Sequence, residues 1–197
     1  MNEKPLFSLL SLLFALLLGA CSSGGRETPP LQGAKLGGPF TLTNQDGRQV
    51  SNDQFDGQYR LVYFGFTYCP DVCPVDLQTI GQAMQRLEKS DPDIAERVQP
   101  IFISVDPERD TPAVLKQYVA AFHPRLIGLT GTPEQVADVA KKHGIFFQKE
   151  EREGSREYMV NHSRMVLLFG PKGEPIAIVP HEQGADAMIA ELKRWVK

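Results

Sequence analysis

A chain of 197 residues with a 42% hydrophobic fraction is long enough for one domain with a proper core and a short extension. Its net charge of −3 and pI of about 5.8, with lysines and arginines scattered along the length, exclude the massed basic surface of a nucleic-acid binder.

Leu6 to Leu18 is an apolar run of 13 residues, short for a membrane span and right for the core of a signal peptide. Its leader is weakly charged, since Glu3 offsets Lys4. Leu18-Gly19-Ala20-Cys21 sets small residues ahead of a cysteine, a pattern similar to bacterial lipoprotein signals. Residues 1–20 are therefore expected to be a lipoprotein signal peptide. Lipidation at Cys21 would make the chain a bacterial membrane lipoprotein facing the periplasm or the extracytoplasmic side. An ordinary signal with an unrelated cysteine nearby is the plainer alternative. That compartment is oxidising, so a close cysteine pair can form a disulfide there and a working dithiol needs a reductant.

From Cys21 to Gly38 the composition is rich in Gly, Pro and Ser without apolar period, which reads as a flexible tether with a reach of roughly 20–25 Å. Residues 39–197 are then the folded domain. Phe40 to Thr43 and Gln49 to Ser51 flank an Asp46-Gly47 step, which predicts an added N-terminal hairpin before the main sheet. Leu61 to Phe64 is a buried strand. It runs into Phe64-Gly-Phe-Thr-Tyr-Cys69-Pro-Asp-Val-Cys73-Pro74 and then a helix to about Glu88 with Leu77, Ile80, Met84 and Leu87 on one face. With the first helical turn starting between them, Cys69 and Cys73 turn to one side, where they can share a bond or an ion. A helix start also favours thiolate over thiol.

Val98 to Val105 is a second buried strand. Thr111-Pro112 and Thr132-Pro133 each cap and open a helix, the second with Gln135 completing a capping box. Ile145 to Phe147 is strand-like, Glu150 to Glu157 reads as a solvated loop, and Arg164 to Phe169 and Pro175 to Val179 are strands joined at Pro171-Lys172-Gly173. Asp186 to Val196 is an amphipathic helix. Strands alternating with helices and ending in a hairpin and helix indicate a three-layer α/β sandwich with a mixed central sheet.

A dithiol at the end of a central strand followed by these elements resembles the thioredoxin fold. Cys69-Pro-Asp-Val-Cys73-Pro74, Ser104-Val-Asp106-Pro-Glu-Arg-Asp110-Thr-Pro112, and His162-Ser163 ahead of Gly170-Pro-Lys-Gly173 together resemble the Sco/SenC family, over about Pro39 to Trp195. The resemblance implies a membrane-anchored, thioredoxin-like copper-binding protein serving the binuclear copper centre of cytochrome c oxidase. It places metal ligands at Cys69, Cys73 and His162, and a redox disulfide at Cys69 and Cys73. The implied partners are the oxidase subunit that carries the binuclear site, a thiol reductant and other periplasmic copper carriers. In one respect the sequence departs from the family: Asn161 stands where an aspartate usually precedes the histidine, which puts the tuning of His162 by a neighbouring carboxylate in question.

Two thiolates and an imidazole suit copper, as Cu(I) or as Cu(II), although a Cys₂His set also occurs around zinc, so copper rests on the resemblance. A thiol-disulfide oxidoreductase acting on the cysteines of a copper-accepting partner is the alternative function, which leaves enzymatic activity open. Against it, the cysteines have three residues between them where thioredoxins have two, and no proline precedes the strand after His162. A plain disulfide staple is the bland reading of the pair. His123, His143 and His181 are read as structural or solvated, Met159 and Met165 as packing, and Asp71, Asp106 and Asp110 as cap and turn residues.

Overall fold

The computed structural model describes residues 27–151 and 158–197. Cys21 and the expected signal segment lie outside the described residues, and among those described no helix is long and apolar enough to cross a membrane.

The described chain does not begin as a tether. Leu31 donates its N–H to Ile176 O at 2.9 Å and Gly37 donates to Lys142 O at 2.8 Å, while Leu31 and Leu36 pack against the core. These two leucines, spaced among small residues, give the stretch enough apolar area to lie on the domain, so the folded unit begins ahead of Pro39. Glu27 pairs with Arg194 near the C-terminus.

Strands β1 (Thr41–Asn44) and β2 (Gln49–Ser51) form the hairpin that the Asp46-Gly47 turn predicts. It does not stand apart, because Thr43 and Asn44 also pair with Thr130 and Leu129, so the hairpin extends the main sheet. Strand β3 (Tyr59–Gly65) is buried at every residue, and a strand shielded on both faces needs a continuous apolar run rather than an alternating one.

Helix α1 (Val72–Ser90) follows, with Leu77, Ile80, Met84 and Leu87 buried as their spacing requires. Each such side chain contributes about 1.5–3 kcal/mol on burial. A short helix α2 (Pro92–Arg97), absent from the sequence expectation, turns the chain into β4 (Val98–Ser104). Helix α3 (Pro112–Ala120) starts at Thr111, whose hydroxyl accepts from Val114 N–H, and leads to β5 (Ile127–Thr130). Helix α4 (Pro133–Lys142) carries the full Thr132/Gln135 capping box.

Strands β6 (Phe147–Glu151) and β7 (Tyr158–His162) pair only with each other, His162 opposite Phe147. The expected loop from Glu150 is thus corrected at its start: Glu150 and Glu151 belong to β6, because one side of that strand pairs with β7 while its side chains stay in solvent. Strands β8 (Val166–Phe169) and β9 (Pro175–Val179) return to the main sheet, and α5 (Ala185–Trp195) closes the chain.

The seven strands run in the order β2-β1-β5-β4-β3-β8-β9, with β3, β4 and β5 mutually parallel and the other pairs antiparallel. One face carries α1, α3 and α5: Tyr63 reaches Asp76 of α1, and Phe102 meets Tyr118 of α3 at 5.6 Å. The other carries the end of α4, where Phe64 lies 5.4 Å from His143. This is the three-layer, thioredoxin-like sandwich with a mixed sheet. The Glu27–Arg194 contact and the Lys197 N–H to Tyr59 Oη bond mark the pole where β3 begins.

Helix α1 approaches the end of α3 so closely that a Cβ at Gly81 would stand 2.4 Å from Phe122 O. Gly81→Ala is expected to destabilise the chain by about 1–3 kcal/mol, as overpacking does. A thermal unfolding midpoint equal to that of the parent would contradict this packing.

Candidate metal centre

The site is built where β3 hands the chain to α1. Gly65 ends the strand, and its missing side chain leaves room for sulfur: a Cβ there would lie 3.1 Å from Cys73 Sγ. Cys73 is fully buried and Cys69 half-buried. The turn that leads into Cys69 is pinned from below by Asp110, itself 0% exposed. Its carboxylate accepts from Thr67 N–H at 3.0 Å, Thr67 Oγ1 at 2.6 Å and Ser104 Oγ at 2.6 Å. Burial pushes the Asp110 carboxyl upward in pKa, and the Ser104 and Thr67 donors oppose that shift. The second sequence motif therefore does more than turn and cap: it holds the cysteine turn in place.

Asp71 stands at the helix N-cap position, but its side chain accepts no capping bond. Cys69 takes that part, accepting Cys73 N–H on Sγ at 3.4 Å. The two cysteines are unbonded. Hydrogen bonding from the Cys73 thiol lowers the Cys69 pKa to about 3 against the opposing effect of burial, with further help from His162 and the backbone at Cys73 and Asp71. Cys73 is pushed the other way, by its hydrogen bond to the Cys69 sulfur and by burial. The pair is thus one half-buried thiolate and one fully buried thiol, the arrangement that a helix start and local donors produce.

His162 ends β7 and reaches the pair from the far side of the sequence. Its Nε2 lies 3.2 Å from Cys73 Sγ. Its Nδ1 lies 3.0 Å from Ser163 O, a contact that orients the ring and turns Nε2 towards the sulfurs. Tyr63 and Phe66 stand edge-on to the ring at 6.3 and 5.9 Å and fix its plane. Asn161 points the other way along the strand and bonds Glu150 at the surface. The orienting acceptor of His162 is therefore a backbone carbonyl, and a carboxylate at position 161 would leave on the face opposite the imidazole.

All three side chains expected as ligands meet at one place. They do not form a ready-made cage: among the described residues, no three His, Cys, Asp or Glu side chains already stand in a closed metal-holding arrangement. The donor set of two sulfurs and the His162 Nε2 fits a thiophilic ion. The clefts of about 500 and 540 Å³ elsewhere on the surface contain neither cysteine nor histidine.

Several residues around the site were not singled out by sequence. Asp76 is buried beneath Tyr63, taking its hydroxyl at 2.8 Å, Arg164 through Nη2 at 2.7 Å and Nε at 3.1 Å, with His181 at 3.4 Å. Although burial raises its pKa, His181, Arg164 and Tyr63 hold it down at about 2. The signal was a charge on the apolar face of α1, one position before Leu77. Arg109 and Tyr158 join the cysteine turn to the histidine hairpin, and alternation from Tyr158 through Val160 to His162 could have revealed β7. His123, His143 and His181 are all buried and structural, none solvated, and Met159 and Met165 pack at the core margin.

The match to known proteins begins at the segment that docks on the domain. Residues 28–197 match the family described as SCO1/SenC. The protein SCO1 homolog 1, mitochondrial, of Arabidopsis thaliana is 43% identical over 177 residues, covering 87% of this chain and 52% of that protein, so the chain spans about half that relative's length. The structure of Bradyrhizobium japonicum ScoI with copper bound superposes with a TM-score of 0.74 at 36% identity, covering 81% of this chain and 99% of that one. BsSco, described as a member of the Sco family of cytochrome c oxidase assembly proteins, matches with a TM-score of 0.66 at 30% identity, covering 85% of this chain and 95% of that one.

Two outcomes follow from the geometry. In the reduced chain at pH 6, iodoacetamide is expected to modify Cys69 well before Cys73, read by mass spectrometry; equal labelling would contradict the split between thiolate and buried thiol. Asp76→Asn removes the buried carboxylate shared by Tyr63, the half-exposed Arg164 and His181 and is expected to cost about 1–3 kcal/mol at pH 7 in denaturant unfolding. The folded Asp76 carboxyl titrates at about 2 and an unfolded one near about 3.9. Its stabilisation is therefore complete above pH ~4 and is lost as the pH falls towards 2. The asparagine variant should lack that part of the acid sensitivity.

Proposed function

The chain belongs to the SCO1/SenC family, and from that premise we propose that it is a membrane-anchored copper chaperone for the binuclear copper centre of cytochrome c oxidase. Copper is its cargo, held by Cys69, Cys73 and His162. The observation that carries this reading is the 3.2 Å approach of His162 Nε2 to Cys73 Sγ across 89 residues of sequence, with the Cys69 sulfur on the same helical turn. Neither a plain disulfide staple nor a surface thiol needs an imidazole there.

Ion binding expels the Cys73 proton and turns the hydrogen-bonded trio into a ligand set. Thiolates favour Cu(I), while the imidazole also serves Cu(II), so both states suit the site. Ligands on a half-exposed turn leave one side open to an incoming thiol or imidazole, and handover to the oxidase subunit proceeds by ligand exchange. Lipid on Cys21 would keep the domain at the membrane where that subunit resides. Closing a Cys69–Cys73 disulfide removes both sulfur ligands, so loading depends on a thiol reductant and on other periplasmic copper carriers.

A second reading has an observation of its own. A half-exposed Cys69 thiolate beside a buried Cys73 thiol is the arrangement of a thiol-disulfide oxidoreductase, with Cys69 attacking and Cys73 resolving. Its substrate would be the disulfide of a copper-accepting partner.

Anaerobic copper titration of the reduced full-length chain separates the two. One equivalent is expected for the parent, with binding lost in Cys69→Ser and Cys73→Ser and weakened at least about tenfold in His162→Ala, the loss of one metal–ligand contact. Unchanged copper affinity in His162→Ala, together with undiminished disulfide reduction, would overturn the chaperone reading in favour of the reductase.

A further inference from the structure

The β6–β7 hairpin brings His162 to the cysteines yet shares no ladder with the seven-stranded sheet. Something other than strand pairing has to place it. Tyr158, Val160 and His162 alternate on one face of β7, turned towards the domain. Val160 enters the core and His162 meets Cys73. Tyr158 is caught by the loop that follows β4. Its hydroxyl donates to Asp106 Oδ1 at 2.6 Å, and its carbonyl accepts Arg109 Nη1 at 3.0 Å. The Arg109 guanidinium also lies 3.7 Å from the Tyr158 ring centroid.

Arg109 is held in turn by an ion pair from Nε to the fully buried Asp106. The same guanidinium lies 4.8 Å from the ring of Tyr68 and 5.8 Å from that of Phe66, both in the cysteine turn. Lys149 of β6 reinforces the cluster, 4.7 Å from the Tyr158 ring and paired with Glu108. One planar cation thus touches the segment that carries Cys69 and the strand that carries His162, and it belongs to neither.

We propose that Arg109, seated on Asp106 and stacked against Tyr158 and Tyr68, is the positioning residue that sets how His162 meets the two sulfurs. It is not a ligand. A planar, always charged fork can stack on two rings and donate to a carbonyl at once, which a lysine ammonium cannot do. Without it the hairpin keeps its own ladder and Val160 but loses its fixed point at the Tyr158 end, four residues from the imidazole. The metal-loaded consequence rests on the copper reading above. Loss of Arg109 should weaken the state that depends on imidazole, Cu(II), more than the state that two thiolates can hold, Cu(I).

The test uses the full-length chain with Arg109→Ala, Arg109→Lys and Tyr158→Phe, beside His162→Ala. In the reduced, metal-free protein, amide hydrogen exchange in β6–β7 and in Phe66–Cys69 is expected to rise about tenfold in Arg109→Ala, the scale of losing one such stacked, hydrogen-bonded cation. Exchange in β3 and β4 should stay at the parent rate, which also reports that the variant is folded. Tyr158→Phe, which removes only the bond to Asp106, should show a smaller rise in the same segments. In the Cu(II)-loaded protein, Arg109→Ala should lose the nitrogen superhyperfine coupling as His162→Ala does, while keeping the thiolate-to-copper charge-transfer band.

Parent-like exchange in the hairpin, undisturbed nitrogen coupling, or full rescue by Arg109→Lys would each overturn the assignment. A parent chain that binds no copper would overturn the chaperone reading instead. The metal-free exchange would still decide the role of Arg109.

Discussion

The contact between His162 and Cys73 governs the design of this molecule, because its two partners sit on parts of very different rigidity. The cysteines ride on the junction of β3 and α1, where the strand is buried on both faces and the helix drives its apolar stripe into the core. The histidine rides on a two-stranded ribbon beside the sheet. A site assembled entirely on the sheet would be fixed; one assembled entirely on loops would have no defined geometry. Here the two cysteines are fixed and the histidine is attached through side-chain contacts alone.

Three buried aspartates support that arrangement, and none is available to coordinate metal. Asp110 spends its lone pairs on Thr67 and Ser104 under the cysteine turn. Asp106 spends its own on Arg109 and Tyr158 at the root of the hairpin. Asp76 is filled by Tyr63, Arg164 and His181 behind Cys73. Each carboxylate is costly to bury and is retained with several donors, so removing any one of them leaves a buried oxygen unsatisfied. Carboxylates satisfied in this way leave the two sulfurs and the imidazole as the free donors at the centre, and that donor set favours a soft ion over a hard one.

Much of this was legible in the chain itself. The continuous apolar run before Cys69, the Thr-Pro helix starts at 111 and 132, and the apolar stripe of α1 each express a local rule, and each element stands where that rule puts it. The three ligand candidates were legible only through separated motifs, because nothing in local spacing links His162 to Cys73. What sequence missed was set by distant partners. Leu31 and Leu36 read as part of a tether because their docking surface, the edge of β9 and the end of α4, is formed more than a hundred residues later. Strand β7 was hidden beside a charged run, and the bonds of Asp76 and Asp106 join residues whose spacing carries no period. Asn161 looked like a lost partner of the His162 ring only because sequence adjacency suggests spatial adjacency, which a pleated strand denies.

The placement of Glu27 against Arg194 has a geometric consequence. Strand β3 starts beside that contact and ends at the thiols, so a span of roughly 20 Å, seven residues at the rise of an extended chain, separates them. The described chain thus joins the domain at one pole of the sheet and carries its thiols at the other.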